Sequence, residues 1–212
     1  MKFGASCHAP RVSKERLIVF VKAPRPGAVK TRIAATAGQT RACAIYREMV
    51  ETVLDEFGSL PGVEIRFSPD GAETEITSWL RANWSMHPQG TGNLGERLHR
   101  AFVSAFANGA ERVVIVGSDC PEIAAADIRA AWEELALHDV VVGPAVDGGY
   151  WLIGLRAVRP ELFDGIEWSS DQVLAQTLHR AKVGGLRIQL LRILTDIDTE
   201  LDWNAYVQQR GG

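Results

Sequence analysis

Apolar residues in this chain fall into short dense runs separated by longer stretches of helical spacing. "RLIVFVKA" (16–23) is compact and rich in β-branched residues, the pattern of a buried strand. Over 39–57, Tyr46, Met49, Val50, Val53 and Phe57 share one face of a helix. "VEIRF" (63–67) alternates as a strand does, "TEITSWL" (74–80) suggests a short helix, and "WSMHPQ" (84–89) a short strand. Leu94, Leu98, Ala101, Phe102, Ala105 and Phe106 then recur at helical spacing, and "ERVVIVGSDCP" gives a strand ending at Gly117. A helix is expected over 122–137, strands at "DVVVGPA" and "YWLIGL", and a helix in "SSDQVLAQTLHRA" opened by a capping box from Ser169 to Gln172. A late strand (186–191) and a final helix (199–209) complete the pattern.

Alternating strands and helices imply a mostly parallel sheet covered on both faces. "YWLIGL" follows its preceding strand too closely for a helical crossover, so a hairpin makes the sheet mixed. The expected fold is α/β, a single-domain three-layer αβα sandwich of Rossmann-like type. The domain is read as 16–209 and residues 1–15 as a flexible leader.

Composition narrows the function. The 212 residues are 46% hydrophobic and 23% charged with a net charge of −3, ordinary for a globular protein and against bulk attraction to nucleic acid. No apolar run approaches a membrane span and no signal peptide core is visible, so the cytoplasm is the default; a homodimer stays open. The three cysteines are widely spaced, with no CxxC, and the five histidines show no H-E-x-x-H, which argues against structural or catalytic zinc. No G-x-S-x-G nucleophile elbow occurs.

Chemistry concentrates in five segments. "VKAPRPGAVKTR" (21–32) carries Lys22, Arg25, Lys30 and Arg32 directly after the first strand. It is not a P-loop: Val29 stands where glycine is required before the lysine, and Pro24 and Pro26 lack N–H donors. Nor does a GxGxxG follow the strand. What remains is a clamp that holds phosphate through the side chains of Arg25, Lys30, Thr31 and Arg32, or else a solvated charged turn. In "GSDCP" (117–121), Asp119 lies just past a strand, where one carboxylate can hold a Mg²⁺ that also takes substrate phosphates, or where it merely shapes a turn. Cys120 reads as a small buried thiol, since no histidine is near in sequence to activate it. "VDGGYW" (146–151) is a tight turn whose Gly148 and Gly149 admit close backbone approach, with Asp147 as a second acid and Tyr150 and Trp151 available to stack on a base or sugar. "TDIDTELD" (195–202) holds a literal D-x-D; Asp198 or Thr199 reads as a helix N-cap, while Asp196 is open as a metal ligand. "GTGNLGERL" (90–98) combines Gly92 and Gly95 with a helix start capped by Asn93.

Together and in this order, "FVKAPRPGAVKTRI", "GNLGERL", "GSDCP", "GPAVDGGYWLIGL", "WSS" and "DIDTELD" resemble a bacterial family of small glycosyltransferase-A-like proteins. These are the radical-SAM/selenodomain-associated transferases, some of them of arsenosugar-biosynthesis type, within the nucleotide-diphospho-sugar transferase superfamily. The chain is also similar, at longer range, to 2-phospho-lactate guanylyltransferases. The resemblance implies a transferase acting on a nucleotide or nucleotide sugar and a small acceptor, with Mg²⁺ or Mn²⁺. It implies that Arg25, Lys30 and Arg32 meet the phosphates, that Gly92, Leu94, Gly95 and Arg97 lie near the base, and that Asp119 holds the metal, with Asp196 of the late D-x-D as the candidate second ligand. Asp147 with Gly148 and Gly149 would face the transferred group, with Tyr150 and Trp168 on the substrate side; Lys30, Asp119 and Asp147 are the expected catalytic set. A glycosyltransferase A usually carries its D-x-D after the central strand, whereas this chain has a single aspartate there. Glycosyl transfer from a nucleotide sugar leads, nucleotidyl transfer with pyrophosphate release is the alternative, and a non-catalytic nucleotide-binding protein is a third reading.

Overall fold

The computed structural model describes residues 14–210. In chain order its elements are β1 (Glu15–Lys22), α1 (Thr31–Ala37), α2 (Gln39–Glu56), β2 (Val63–Ser68), α3 (Glu73–Ile76), β3 (Ser85–Pro88) and α4 (Leu94–Ala107). They continue with β4 (Arg112–Val116), α5 (Ala125–Glu134), β5 (Val140–Pro144), β6 (Tyr150–Leu155), α6 (Val173–Val183), β7 (Ile188–Leu190) and α7 (Glu200–Arg210). The strands form one sheet in the order β3-β2-β1-β4-β6-β5-β7. β6 runs antiparallel to β4 and β5, and the other pairings are parallel. The fold is the expected mixed α/β sandwich. The leader mostly lies outside the described residues, and Glu15, its last residue, already belongs to β1.

Strand parity divides the interior. Leu17, Val19 and Val21 of β1 face one layer with Val63, Ile65, Val114 and Val116, covered by Tyr46, Val50 and Val53 of α2 and Ile128 and Trp132 of α5. Ile18 and Phe20 face the other layer with Val113, Ile115, Val142 and Ile153, covered by Leu98, Ala101 and Phe102 of α4. With both faces buried, a strand must be apolar throughout, which explains the unbroken "LIVFV" of β1. β2 departs from this rule. By register Glu64 and Arg66 share the face of Ile18 and Phe20, and both are buried, joined by a 2.5 Å ion pair. A third cluster joins Ile33 of α1, Ile45 and Met49 of α2, and Ile197, Trp203 and Tyr206 around α7. It holds the C-terminal segment beside the loop after β1.

Three local expectations are corrected. The charged segment 21–32 is loop only up to Lys30, because residues 31–37 form a short helix. The helix expected over 122–137 is Ala125–Glu134, because Ala124 is extended and its N–H is taken by Asp127 Oδ2 at 2.8 Å. The capping box at Ser169 does not form: Ser169 has φ +68, and the Ser170 hydroxyl instead accepts from the Gln172 N–H at 3.2 Å. No helix among the described residues is long and apolar enough to cross a membrane.

Candidate active site

The carboxyl ends of β1, β4 and β5 open on one edge of the sheet, together with the start of antiparallel β6. The chain steps from β1 out through β2 to β3 and then crosses back to β4 on the other side of β1, the kind of switch point where open α/β sheets bind ligands. A cavity of about 1080 Å³ lies there. A parallel bridge between Ala145 and Leu194 brings the 195–198 segment to the same edge.

The loop after β1 is built from its own sequence. The Ala28 N–H donates to the Arg25 carbonyl, Gly27 takes φ +81, and the Cys43 thiol donates to the Pro24 carbonyl at 2.9 Å. Val29, which occupies the place of a P-loop glycine, is 2% exposed and anchors the loop in the core. That anchor turns Lys30, Thr31 and Arg32 into the cavity wall. Arg25 does not line the cavity: it forms a two-pronged pair with Glu75 at 2.6–3.2 Å, which raises its own pKa and lowers that of Glu75.

Lys30 joins three segments. Its side chain is only 5% exposed, and its ammonium lies 2.6 Å from Asp119 Oδ1, 2.6 Å from the Ile197 carbonyl and 3.7 Å from Asp198 Oδ1. Arg32 holds the other oxygen of Asp198 at 2.8 Å. Asp198 therefore faces the site, contrary to its expected capping role. The cap is made one residue later, where Thr199 Oγ1 accepts from Asp202 N–H and Asp202 accepts from Thr199 N–H.

The acids meet opposite this lysine. The Ile197 N–H donates to the Asp119 carbonyl at 3.0 Å, and the Cys120 thiol donates to Asp196 Oδ1, so the strand end and the late D-x-D are tied together. Burial, reinforced by the charges of Asp147 and Asp119, lifts the Asp196 carboxyl from 3.8 to about 6. Burial beside Asp196 also pushes the Cys120 thiol well up, which keeps it protonated and accords with a structural thiol. Asp147 lines the cavity, and its Oδ1 accepts from the Gly149 N–H at 2.8 Å, fixing the turn.

On the far wall, Gly92, Leu94 and Arg97 line the cavity with Gly149, Tyr150 and Trp168. Asn93 and Glu96 form a reciprocal capping box at 3.0 and 2.7 Å that fixes the start of α4. Arg97 donates to the Gly92 carbonyl at 2.9 Å, holding the loop to the helix. Gly95 and Gly148 act from behind the wall. A Cβ on Gly95 would lie 2.7 Å from Trp168 Cζ2, and one on Gly148 would lie 2.2 Å from the Asp171 carbonyl oxygen. The Tyr150 hydroxyl is buried away from solvent, and burial raises its pKa. Sequence reasoning missed the support beneath the loop. The Tyr46 hydroxyl accepts from the Lys22 N–H at 2.7 Å and lies 3.2 Å from Ser118 Oγ. Gln89 donates to the Val21 and Arg66 carbonyls at 3.0 Å, pinning β1 to β2.

The donor chemistry fits Mg²⁺ or Mn²⁺. Asp119, Asp147 and Asp196 all line the cavity, and hard oxygen donors suit these ions. Among the described residues no three acids or other ligating side chains are already gathered as a complete cage.

Comparison with known proteins gives a family and a fold. The family model DUF2064, "Uncharacterized protein conserved in bacteria", matches residues 58–170. A crystal structure of a candidate nucleotide-diphospho-sugar transferase from Desulfovibrio desulfuricans is 33% identical, covers 93% of this chain and 88% of that one, and superposes with a TM-score of 0.88. CMP:2-keto-3-deoxy-manno-octonic acid synthetase in complex with CTP shares the fold at 11% identity, with 93% and 100% coverage and a TM-score of 0.55. Rv0371c from Mycobacterium tuberculosis in complex with manganese shares it at 15% identity, with 92% and 99% coverage and a TM-score of 0.53. No curated protein matches the chain.

Proposed function

The chain belongs to the DUF2064 family of bacterial proteins, and from that premise we propose that it is a nucleotide-dependent transferase that uses a nucleotide-sugar donor. The observation that carries this reading is the meeting of Lys30 with Asp119 and Asp198 at the edge of β1 and β4, over a cavity of about 1080 Å³. Cations and acids side by side suit a diphosphate and its counter-ion. The 33% identical Desulfovibrio protein, itself a candidate nucleotide-diphospho-sugar transferase, supports the donor class.

Asp119 and Asp196 are the residues that would hold Mg²⁺ or Mn²⁺, and such an ion, when bound, neutralises charge on the phosphate oxygens. Lys30 and Arg32, with the Thr31 hydroxyl, bind the diphosphate and stabilise the charge that builds on it as the donor bond breaks. Gly92, Leu94 and Arg97 bound the nucleoside side. Asp147 takes the proton from the acceptor hydroxyl as it attacks. The Gly148–Gly149 turn brings Asp147 close to that hydroxyl, and Tyr150 and Trp168 shield the reacting centre from water.

A second reading is nucleotidyl transfer to a small phosphorylated acceptor with release of pyrophosphate. It is favoured by the single aspartate after β4 and by the fold shared with the CTP-bound synthetase. Product analysis separates the two, since sugar transfer yields a nucleoside diphosphate and nucleotidyl transfer yields pyrophosphate. A panel of nucleotide sugars and nucleoside triphosphates, each with Mn²⁺ or chelator, tests both. Turnover that survives chelator and Asp119→Asn would remove the metal from the mechanism.

A further inference from the structure

Lys30 combines features that a simple phosphate-binding lysine does not need. Its side chain is almost wholly buried, and its ammonium lies among oxygens of three residues: Asp119, Ile197 and Asp198. Its backbone sits at φ 47, ψ 52, the left-handed region that a side-chain-bearing residue seldom adopts. The surrounding packing, with Val29 in the core on one side and Ile33 in the third cluster on the other, holds it there. The ammonium thus does for Asp119 what a divalent cation would do.

We propose that Lys30 is an internal counter-ion that closes Asp119 to divalent metal until a nucleoside diphosphate group enters, so that metal and nucleotide bind as a coupled pair. The inference rests on the reading of Asp119 as a metal ligand. Asp119 Oδ1 has the ammonium at 2.6 Å. A Mg²⁺ on the same carboxylate would sit at about 2.1 Å. The two cations would then repel across a few ångströms, with the screening only partial because the Lys30 side chain is 5% exposed and that of Asp119 53%. Moving away relieves that repulsion, and the ammonium then needs an anion to move to. Thr31 and Arg32 line the same wall, so phosphate held by them arrives within reach of the flexible four-carbon stem. Asp198 is not stranded by the move, because Arg32 already holds its other oxygen at 2.8 Å.

The test is Mn²⁺ binding to the full-length protein, read from the electron paramagnetic resonance signal of free Mn²⁺, with no turnover involved. Wild type, Lys30→Met, Lys30→Gln, Asp119→Asn and the Lys30→Met/Asp119→Asn pair are titrated with Mn²⁺ alone and with a saturating nucleoside diphosphate (ADP, CDP, GDP and UDP in turn), the Mn²⁺ taken up by the nucleotide itself being subtracted from a protein-free titration. Melting temperature and circular dichroism select the Lys30 variant that folds. Wild type is expected to bind Mn²⁺ alone weakly, and the diphosphate that fits should tighten it about tenfold or more, within the usual range of coupling between two sites. The Lys30 variant should bind Mn²⁺ alone about tenfold more tightly than wild type, lose most of the tightening by diphosphate, and lose its Mn²⁺ when Asp119→Asn is added. A folded Lys30 variant with Mn²⁺ affinity equal to or below that of wild type, while Asp119→Asn still abolishes binding, overturns the counter-ion role and leaves the metal reading intact. Mn²⁺ binding indifferent to Asp119→Asn overturns both.

Discussion

Gly148→Ala probes the turn that presents Asp147. Gly148 has φ +88, and an added Cβ would lie 2.2 Å from the Asp171 carbonyl oxygen and 2.7 Å from that residue's carbonyl carbon and Cα. Those are backbone atoms, so no side chain can swing aside. Holding an alanine in the left-handed region costs about 1 kcal/mol. Parting the turn from the start of α6 also gives up the Leu174 N–H bond to the Gly148 carbonyl, 2.9 Å long, worth about 1 kcal/mol. With the repacking strain that the shift forces on neighbouring contacts, about 3 kcal/mol in all is expected. For a chain of this size that is a fall in Tm of roughly 6–12 °C. Gly185→Ala is the control: its φ is +66 and nothing lies within 4 Å of the added Cβ, so only the conformational cost of about 1 kcal/mol should appear. Thermal and urea unfolding of both variants measure the difference. A Gly148→Ala loss no larger than that of Gly185→Ala would refute the close packing of the 146–149 turn on Asp171.

Two further perturbations test the support of the site. Tyr46→Phe removes the acceptor of the Lys22 N–H and should destabilise the protein by about 1–2 kcal/mol in urea unfolding; an unchanged midpoint would mean that the loop after β1 does not depend on this bond. Asp196 has a carboxyl raised from 3.8 to about 6 in the fold, so the folded state holds its proton more tightly than the unfolded state. The associated stability is fully present below pH 3.8 and is lost as pH rises through about 6. The loss amounts to about 3 kcal/mol. Asp196→Asn abolishes this dependence, so its stability relative to wild type, in chelator, should rise between pH 4.5 and about pH 7.5 by an amount of that order; a constant difference across the range would contradict the burial of this carboxyl.

How much was legible beforehand varies with the range of the interaction. β1 and β4 announce themselves because a strand buried on both faces has to be apolar at each position, and the hairpin at Asp147 follows from a connection too short for a helix. Glu64 and Arg66 looked like the polar half of an alternating strand, yet their pairing lets both be buried. α1 was missed because it is seven residues long, buries only Ile33, and begins without a side-chain cap. Asp198 was misjudged for a local reason. The T-x-x-D pattern of Thr199 and Asp202 caps α7 without it, and reading that pattern first would have released Asp198 to the site. The S-x-x-Q at Ser169 misled in the opposite direction, since the left-handed backbone there turns the serine out of capping geometry. Lys30 was singled out as a phosphate ligand, but its contact with the Ile197 carbonyl spans 167 positions. No local pattern carries that contact; it depends on the packing of α7 against α1 and α2. Arg25 shows the same limit, because Glu75, which draws it from the cavity, is 50 positions away.

The central claim, a metal-assisted transfer from a nucleotide at the Lys30–Asp119 edge, is tested most directly by identifying the nucleotide product of wild type and Asp119→Asn across a donor panel with Mn²⁺ or chelator. The account predicts release of a nucleoside diphosphate from one nucleotide sugar, lost with chelator and in the variant. Turnover that persists in both, or no nucleotide turned over or bound by the wild type, would contradict it.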